Sequence, residues 1–306
     1  MTDTLTTIDC DYVQPLVACA YLRVSGGECA FVETNTAHAV PKLLAALAAQ
    51  GRRPEDVRYV IITHVHLDHA GGASALMAAC PNATLLAHPR AARHVIDPTK
   101  LVAGATAVYG AERFRALYGE ITGVDASRVR ALDDGATVAF GGGALSFHHA
   151  RGHANHHFVV RDPAVDTVFT GDAFGLVYPR LQRAGLMAFP STSPTDFDGP
   201  AARAAVDQIV AFGSRSVCLT HYGEQTQVKE IAAQLHAWLT LSESLVAAAK
   251  ALPEAEREGF IAKRLEAEFD ARAARLGLAL DAGDRALIEL DRALNAQGLA
   301  YAASKE

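Results

Sequence analysis

The feature that most constrains this sequence is a polar, ligand-rich segment attached to a short apolar run. Residues 59–62 read YVII, and residues 63–72 read THVHLDHAGG, with three histidines and one aspartate within six positions. A short continuous apolar run is typical of a strand that is buried on both faces of a sheet. We therefore expect a strand at 57–62, with side chains suited to chemistry in the loop at its carboxyl end.

Four side chains of this segment have the arrangement of a metal site. His64 and His66 are two residues apart, so in an extended chain they point to the same side. Asp68 and His69 follow where the chain turns toward a helix, which brings them back into the neighbouring volume. All four offer nitrogen or carboxylate oxygen, the donors that suit zinc, iron or manganese. The segment therefore offers two sets of ligands.

Three further candidate ligands follow predicted strands elsewhere in the chain. His153 occurs in ARGH, Asp172 in TGD and His221 in LTHYG. Each lies at a strand end before a loop, where a rigid scaffold commonly holds functional side chains. A lone histidine in such a place is more often a hydrogen-bonded core or surface residue than a ligand. Together with the upstream cluster, however, these residues favour metal binding, because core packing does not explain so many ligand types.

These motifs, taken in chain order, resemble those of the metallo-β-lactamase-fold hydrolases. The resemblance covers roughly residues 12 to 224 and rests on HxHxDH at 64–69, GH at 152–153, GD at 171–172 and TH at 220–221. It implies an α/β fold, an αββα sandwich with a dinuclear site at one edge. Carried over by position, the first-metal ligands are His64, His66 and His153, the second-metal ligands are Asp68, His69 and His221, and Asp172 bridges the two metals.

The resemblance also implies a reaction. Two divalent metal ions, zinc first with iron or manganese as alternatives, would share a hydroxide that attacks an ester, a thioester or a lactone. Asp68 would be catalytic as well as a ligand, because it can orient that water and accept a proton. Two other classes stay open: a regulatory or binding protein that retains its metal centre, and an iron-dependent oxidoreductase.

Departures from the better-known branches narrow the resemblance. The second-metal set contains no cysteine, unlike that of the classical zinc β-lactamases, and position 175 is Gly, whereas acyl-homoserine lactonases usually have a tyrosine shortly after the bridging aspartate. The chain is more similar to the branch of glyoxalase II and the quorum-sensing thioesterase-like proteins. Proteins of that branch share the ligand order and have a helical carboxyl-terminal part.

Two regions are candidates for contacting the remainder of the substrate. Residues 174–200 read as a long proline-rich loop, and such loops are often functional. Phe174 and Tyr178 are its predicted substrate-binding residues, in a pocket for the apolar or acyl portion of a small-molecule substrate. Beyond a domain at 1–224, residues 225–306 read as an α-helical extension that caps the domain or forms a homodimer interface, with helices at 225–250, 254–275 and 282–303.

The remaining pattern predicts helices and strands of ordinary length. A hairpin is expected at 16–24 and 29–34 around SGGE, and residues 90–127 should be mostly helical. Short helices are expected between Pro41 and Gly51, at 73–79 and at 201–212, and short strands at 83–87, 129–132, 137–140, 144–149, 156–161, 167–170 and 216–219.

Eight further histidines lie outside the predicted ligand set. His148, His149, His156 and His157 either line the pocket and support the ligands or simply alternate along two adjacent strands. The other four are expected to be ordinary surface residues; they are His38, His88, His94 and His236.

Composition excludes several classes of function. The net charge is −6, the pI is near 6.1 and no basic run occurs, so nucleic acid is not an expected partner. No apolar stretch approaches the about 18 residues of a membrane span and no signal-like segment leads the chain, so we expect a cytoplasmic protein with no membrane partner. The five cysteines are scattered and odd in number, which predicts reduced, buried thiols.

Overall fold

The computed structural model describes residues 3–192 and 196–305, and contacts along the backbone divide the chain into two compact units. The first unit comprises Met1–His149, His156–Gly171 and Ser214–Thr226; the second comprises Ala150–Asn155, Asp172–Gly213 and Gln227–Glu306. The predicted domain boundary between residues 224 and 225 stays a prediction. Residues 193–195 of the predicted 174–200 loop lie outside the described residues.

The first unit contains a six-stranded sheet whose strands follow the order of the chain. Its strands are β1 (Thr4–Asp9), β2 (Cys19–Ser25), β3 (Glu28–Val32), β4 (Val57–Ile61), β5 (Thr84–Ala87) and β6 (Val129–Ala131). The first three strands pair antiparallel, and β3 to β6 are parallel. Because parallel strands end at the same edge of a sheet, the segments that follow β3 and β4 are neighbours.

A second six-stranded sheet also belongs to the first unit. Its strands are β7 (Thr137–Phe140), β8 (Gly143–His149), β9 (Phe158–Asp162), β10 (Thr167–Gly171), β11 (Ser216–Leu219) and β12 (Gly223–Gln225). They are arranged in the order β12-β11-β10-β9-β8-β7, and β10 and β11 are the parallel pair. The ends of β10 and β11 therefore share one edge.

The two sheets pack face to face around a common apolar core. Tyr21 of β2 contacts Phe169 of β10, with ring centroids 5.3 Å apart in an edge-to-face arrangement. An ion pair between Arg23 of β2 and Asp162 of β9 also joins the sheets, with 2.6 Å between Nε and Oδ2 and both side chains buried. Side chains that interdigitate in this way define a sandwich.

Helices cover the other face of the first sheet. Leu43 and Leu47 of one helix and Leu76 of another are completely buried against it. Leu43 and Leu47 are four residues apart, so they lie on the same side of their helix and form an apolar stripe that faces the sheet. The helices of this unit are α1 (Val40–Ala49), α2 (Leu67–Ala70), α3 (Ala73–Ala79), α4 (Pro89–Ile96), α5 (Thr99–Tyr109) and α6 (Ala111–Tyr118).

The second unit is helical. It contains α7 (Gly199–Ala211), α8 (Val228–Ala249), α9 (Glu254–Arg275), α10 (Ala282–Ser304) and a 3-10 helix at Pro179–Ala184. Aromatic rings form its centre: Phe269 of α9 lies 5.4 Å from Phe189 and 6.2 Å from Trp238 of α8, measured between ring centroids. Among the described residues, no helix combines the length and the apolar composition that crossing a membrane requires.

The predicted fold class is confirmed: the protein has two sheets with helices and a helical carboxyl-terminal part. Two strands, β1 and β12, were not predicted. Both are edge strands, and β1 fully buries only Ile8, so neither produces a clear alternation of apolar and polar residues.

One predicted segment is confirmed and another differs from the structure. Residues 90–127 are mostly helical, as predicted, and α6 ends at Tyr118, where Gly119 adopts a positive φ of 75°. The predicted 174–200 loop is more ordered than expected. It contains the 3-10 helix and a bridge between Leu176 and Phe189, and both of these side chains are buried.

Candidate metal centre

The ligand-rich segment lies where the sequence predicted it, directly after β4. His64 is buried, and its Nε2 lies 2.9 Å from Nδ1 of His66, the residue that precedes α2. The Nδ1 of His64 lies 3.1 Å from the hydroxyl of Thr63. One ring nitrogen from each histidine therefore points toward a shared space, as the spacing of two residues predicted.

The predicted second-metal ligands come together in the first unit. Asp68 Oδ2 lies 3.3 Å from His221 Nε2 and 3.8 Å from His69 Nε2. One ligand atom from each residue lies within 4.8 Å of the others, a spacing that could hold a metal ion. His69 and His221 are buried, whereas the Asp68 side chain is 25% exposed. A carboxylate with one open side can both bind a cation and meet water.

The orientation of these two histidines is set by their other ring nitrogen. His221 Nδ1 lies 2.8 Å from the carbonyl oxygen of Val17, in the loop between β1 and β2. Because a carbonyl oxygen can only accept, Nδ1 carries the proton and Nε2 keeps its lone pair toward Asp68. His69 is arranged in the same way, with Nδ1 3.0 Å from the carboxylate of Glu33.

Glu33 is a residue that the sequence analysis missed. It directly follows β3, is 1% exposed and has a positive φ of 67°. Its Oε1 accepts hydrogen bonds from His69, from Thr220 at 3.2 Å and from the Thr63 hydroxyl. The carboxylate thus ties the ends of β3, β4 and β11 to a candidate ligand. The polar run ETNT after a buried strand was the available signal.

In the second unit, His153 and Asp172 form a pair. His153 Nε2 lies 3.4 Å from Asp172 Oδ2, and its Nδ1 lies 3.1 Å from the carbonyl oxygen of Ser191. His153 therefore has the same tautomer as His69 and His221. The glycine of the GH motif is required here, because Gly152 has a φ of 120° and a Cβ on it would overlap Ala202.

A narrow cavity of about 20 Å³ lies beside this pair, with room for about one water molecule. Leu235 and Leu239 of α8 contribute apolar lining. Phe174 and Tyr178, the predicted substrate-binding residues, are both buried and do not line it; the Tyr178 hydroxyl lies 3.1 Å from Asp291. Their role in substrate binding stays a prediction.

The remaining histidines divide into two groups. His157 is completely buried, with its ring 4.8 Å from that of His64, and His156 lies 5.7 Å from His66, so both pack against candidate ligands. His88 was expected at the surface, and that prediction was wrong. It is 6% exposed, its ring centroid lies 4.1 Å from that of His149 in a tilted arrangement, and burial lowers its pKa to about 4.

The cysteines agree with a centre built from nitrogen and oxygen donors. All five are free and buried, as predicted. Burial raises the pKa of the Cys29 and Cys80 thiols to about 11. Thiols that stay protonated at neutral pH are poor metal ligands, because the thiolate is the form that binds.

Comparisons with known proteins agree with the fold. The family model described as Metallo-beta-lactamase superfamily matches residues 15–210. No curated protein matches the chain. An archaeal metallo-beta-lactamase superfamily protein from Sulfolobus tokodaii is similar in structure, with a TM-score of 0.69 and 17% identity over 98% of this chain and 99% of that chain.

Two further solved structures are similar. A metallo-beta-lactamase family protein from Thermus thermophilus has a TM-score of 0.66 and 19% identity, covering 97% of this chain and 91% of that chain. A chemotaxis sensor described with a peroxy diiron species has a TM-score of 0.54 and 14% identity, covering 72% of this chain and 85% of that chain. At these identities the likeness concerns the fold.

Proposed function

The chain belongs to the metallo-beta-lactamase superfamily, and from that premise we propose that it is a metal-dependent hydrolase that cleaves an ester, a thioester or a lactone. The observation that supports this most is the common tautomer of three histidines. His69, His153 and His221 each place Nδ1 against an oxygen acceptor and turn Nε2 toward the carboxylate of Asp68 or Asp172. Metal-ligating histidines are typically held in this way.

The donor set fits two divalent cations. In this proposal, His64, His66 and His153 would hold one cation, Asp68, His69 and His221 would hold the other, and Asp172 would be a ligand shared by both. Imidazole and carboxylate donors suit zinc, and iron or manganese are the alternatives. Bound at these residues, the cations would act as Lewis acids and lower the pKa of a water molecule toward neutrality.

Asp68 is the residue that we propose handles the proton. Its carboxylate is partly exposed and lies against His221, so it can orient a water molecule and accept a proton from it. The same carboxyl group can then return the proton to the leaving alcohol or thiol. Glu33 is unsuited to that role, because it is buried and accepts hydrogen bonds from three side chains.

A second candidate function is iron chemistry or sensing without hydrolysis. It is favoured by the absence of cysteine from the proposed ligand set, since nitrogen and oxygen donors suit iron as well as zinc. One structural neighbour is a chemotaxis sensor described with a diiron species. The two candidates differ in their requirement for dioxygen and in the metal that supports activity.

The test begins with elemental analysis of the purified protein, followed by assays on p-nitrophenyl esters, acyl thioesters and lactones with and without chelator. We expect hydrolysis that chelation abolishes and metal restores. Asp68→Asn should lower kcat by about 100-fold or more, since general acid–base groups contribute about that much. Asp207→Asn, at a side chain that is 68% exposed, is the matched control.

Two results would contradict the proposal. Metal-loaded protein that hydrolyses no member of the panel but consumes dioxygen at an electrode would favour the iron-dependent candidate. Bound metal with neither activity would favour a regulatory or binding protein that retains its metal centre.

A further inference from the structure

Three tyrosines from separate segments meet in the first unit. Tyr12 comes from the loop between β1 and β2, Tyr109 ends α5 and Tyr118 ends α6. The Tyr118 ring lies 6.4 Å from Tyr12, in a stacked arrangement, and 6.0 Å from Tyr109. We call these three side chains the tyrosine wall.

The tyrosine wall lies beside Asp68. Leu67, the residue before Asp68, packs in the same cluster as Tyr118 and the other two tyrosines. Burial raises the pKa of Tyr12 and Tyr118, and the negative charge of Asp68 is the next cause of the increase in both. The wall is therefore close to the segment that carries the proposed proton acceptor.

The rings, rather than their hydroxyl groups, define this surface. The Tyr12 and Tyr118 oxygens lie 3.4 Å apart, which is longer than the about 2.7–2.8 Å that hydroxyl hydrogen bonds prefer, so the bond between them is weak. Tyr12 and Tyr109 are only half-buried, so part of each ring can still be reached by a ligand.

The loop that presents Tyr12 has an uncommon backbone. Asp11, Val13 and Leu16 have φ values of 49°, 63° and 62°, in the left-handed region that β-branched and bulky residues rarely adopt. The Asp9 carboxylate holds this shape by accepting the N–H groups of Asp11 and Leu16. The same loop supplies the Val17 carbonyl that orients His221. Strained loops of this kind are concentrated at functional sites.

From this arrangement we propose that the tyrosine wall receives an aromatic acyl group of the substrate and makes the protein selective for aryl over aliphatic esters or thioesters. This inference rests on the proposed hydrolase function. Aromatic rings gain more than their buried area when their centroids lie about 4.5–7 Å apart, the spacing already present within the wall. An aliphatic acyl group of similar size gains only the area.

The test compares phenylacetyl and hexanoyl thioesters on metal-loaded protein. Wild type should have the higher kcat/KM for the phenylacetyl substrate. Tyr12→Leu should reduce the ratio of the two kcat/KM values by about 5- to 10-fold, the size expected for one or two aromatic contacts. Tyr12→Phe keeps the ring and should retain the ratio. Tyr301→Leu, at a tyrosine that is 48% exposed, is the matched control and should leave the ratio unchanged.

Equal wild-type kcat/KM values for both substrates, or an unchanged ratio in Tyr12→Leu that still folds by thermal unfolding, would overturn the inference. If wild type hydrolyses neither thioester, the wall is tested by calorimetric titration with phenylacetate and hexanoate, and the proposed function itself fails only if no ester or lactone of the panel is hydrolysed either. Tighter binding of phenylacetate that is lost in Tyr12→Leu would support the wall. Equal binding of both acids would overturn it.

Discussion

Glu33 in the first unit and Asp284 in the second are both almost completely buried carboxylates, but their partners differ in charge. Glu33 accepts hydrogen bonds from two threonine hydroxyls and from the imidazole of His69. Asp284 accepts from the guanidinium groups of Arg180 and Arg183, at 2.8 Å and 2.6 Å. One carboxylate therefore orients a candidate ligand, and the other pairs with two cations at the start of α10.

The buried charge of Asp284 serves the stability of its unit, whereas that of Glu33 serves the candidate site. The hydrogen bond from Arg183, supported by that from Arg180, holds the pKa of Asp284 well below its usual range. Those contacts link the 3-10 helix to α10, so their loss should affect folding. The contacts of Glu33 meet at His69, so their loss should affect the metal.

The largest expected effect is on the stability of the second unit. Asp284→Asn removes the charge that both arginines contact, and it weakens the cap in which Asp281 and Asp284 accept each other's N–H groups. We expect the free energy of unfolding to fall by about 2–3 kcal/mol, because a buried carboxylate loses its charged hydrogen bonds to two partly exposed arginines. Urea unfolding measures it, and metal affinity should stay at the wild-type value.

The second-largest effect is expected from a substitution of the other carboxylate, Glu33. Glu33→Gln presents a weaker, neutral acceptor to His69 and turns an NH₂ group toward a Thr63 backbone N–H that now donates to the carboxylate at 3.3 Å. We expect metal affinity to fall by about 10- to 100-fold, as for other partners of metal-ligating histidines. Competition with a chelator measures it. Glu224→Gln on β12 is the control, and an unchanged affinity in Glu33→Gln would refute the assigned role.

Much of this architecture could be read from the sequence, because local patterns encode it. The apolar run that forms β4 and the HxHxDH motif behind it were both predicted in place. Helix α9 was predicted with its observed bounds, Glu254–Arg275, since Pro253 precedes it and Gly277 follows it. In each case the residues that predict the strand, the motif or the helix lie in it or within a few positions of its ends.

What the sequence did not reveal depends on contacts between distant segments. Glu33 and Thr220 are 187 positions apart, and only the pairing of the strands brings them together. His88 was expected to be exposed because it lies outside any motif. Its contact with His149 of β8 forms only when the second sheet is in place. Strand β1 buries too few side chains to produce an alternation of apolar and polar residues in the sequence. Long-range packing therefore determines the residues that support the site, while the ligand motifs are local.

The contribution of Asp284 to stability is expected to depend on pH. Because the folded-state pKa of Asp284 is lowered, its contribution to stability is present above the unfolded-state pKa of about 3.9 and is lost as the pH falls below it. The stability gap between wild type and Asp284→Asn should thus be full at pH 6 and narrower by about 1 kcal/mol at pH 3. Urea unfolding at both pH values measures the gap. A gap that does not change with pH would show that the ion pairs are not its source.

The smallest expected effect separates stability from metal binding within the Glu33 network itself. Thr220→Val removes one hydroxyl that donates to Glu33 and keeps the shape of a side chain that is 1% exposed. We expect the free energy of unfolding to fall by about 1 kcal/mol, the usual value of one hydrogen bond. Metal affinity should fall much less than in Glu33→Gln, because the bond from His69 to the carboxylate remains.

Thr170→Val is the matched control: this buried hydroxyl makes long contacts, at 3.3 Å and 3.4 Å, to two carbonyl oxygens. If Thr220→Val weakens metal binding as strongly as Glu33→Gln does, the threonine next to His221 acts on that ligand directly, and the carboxylate is not the element that orients the centre.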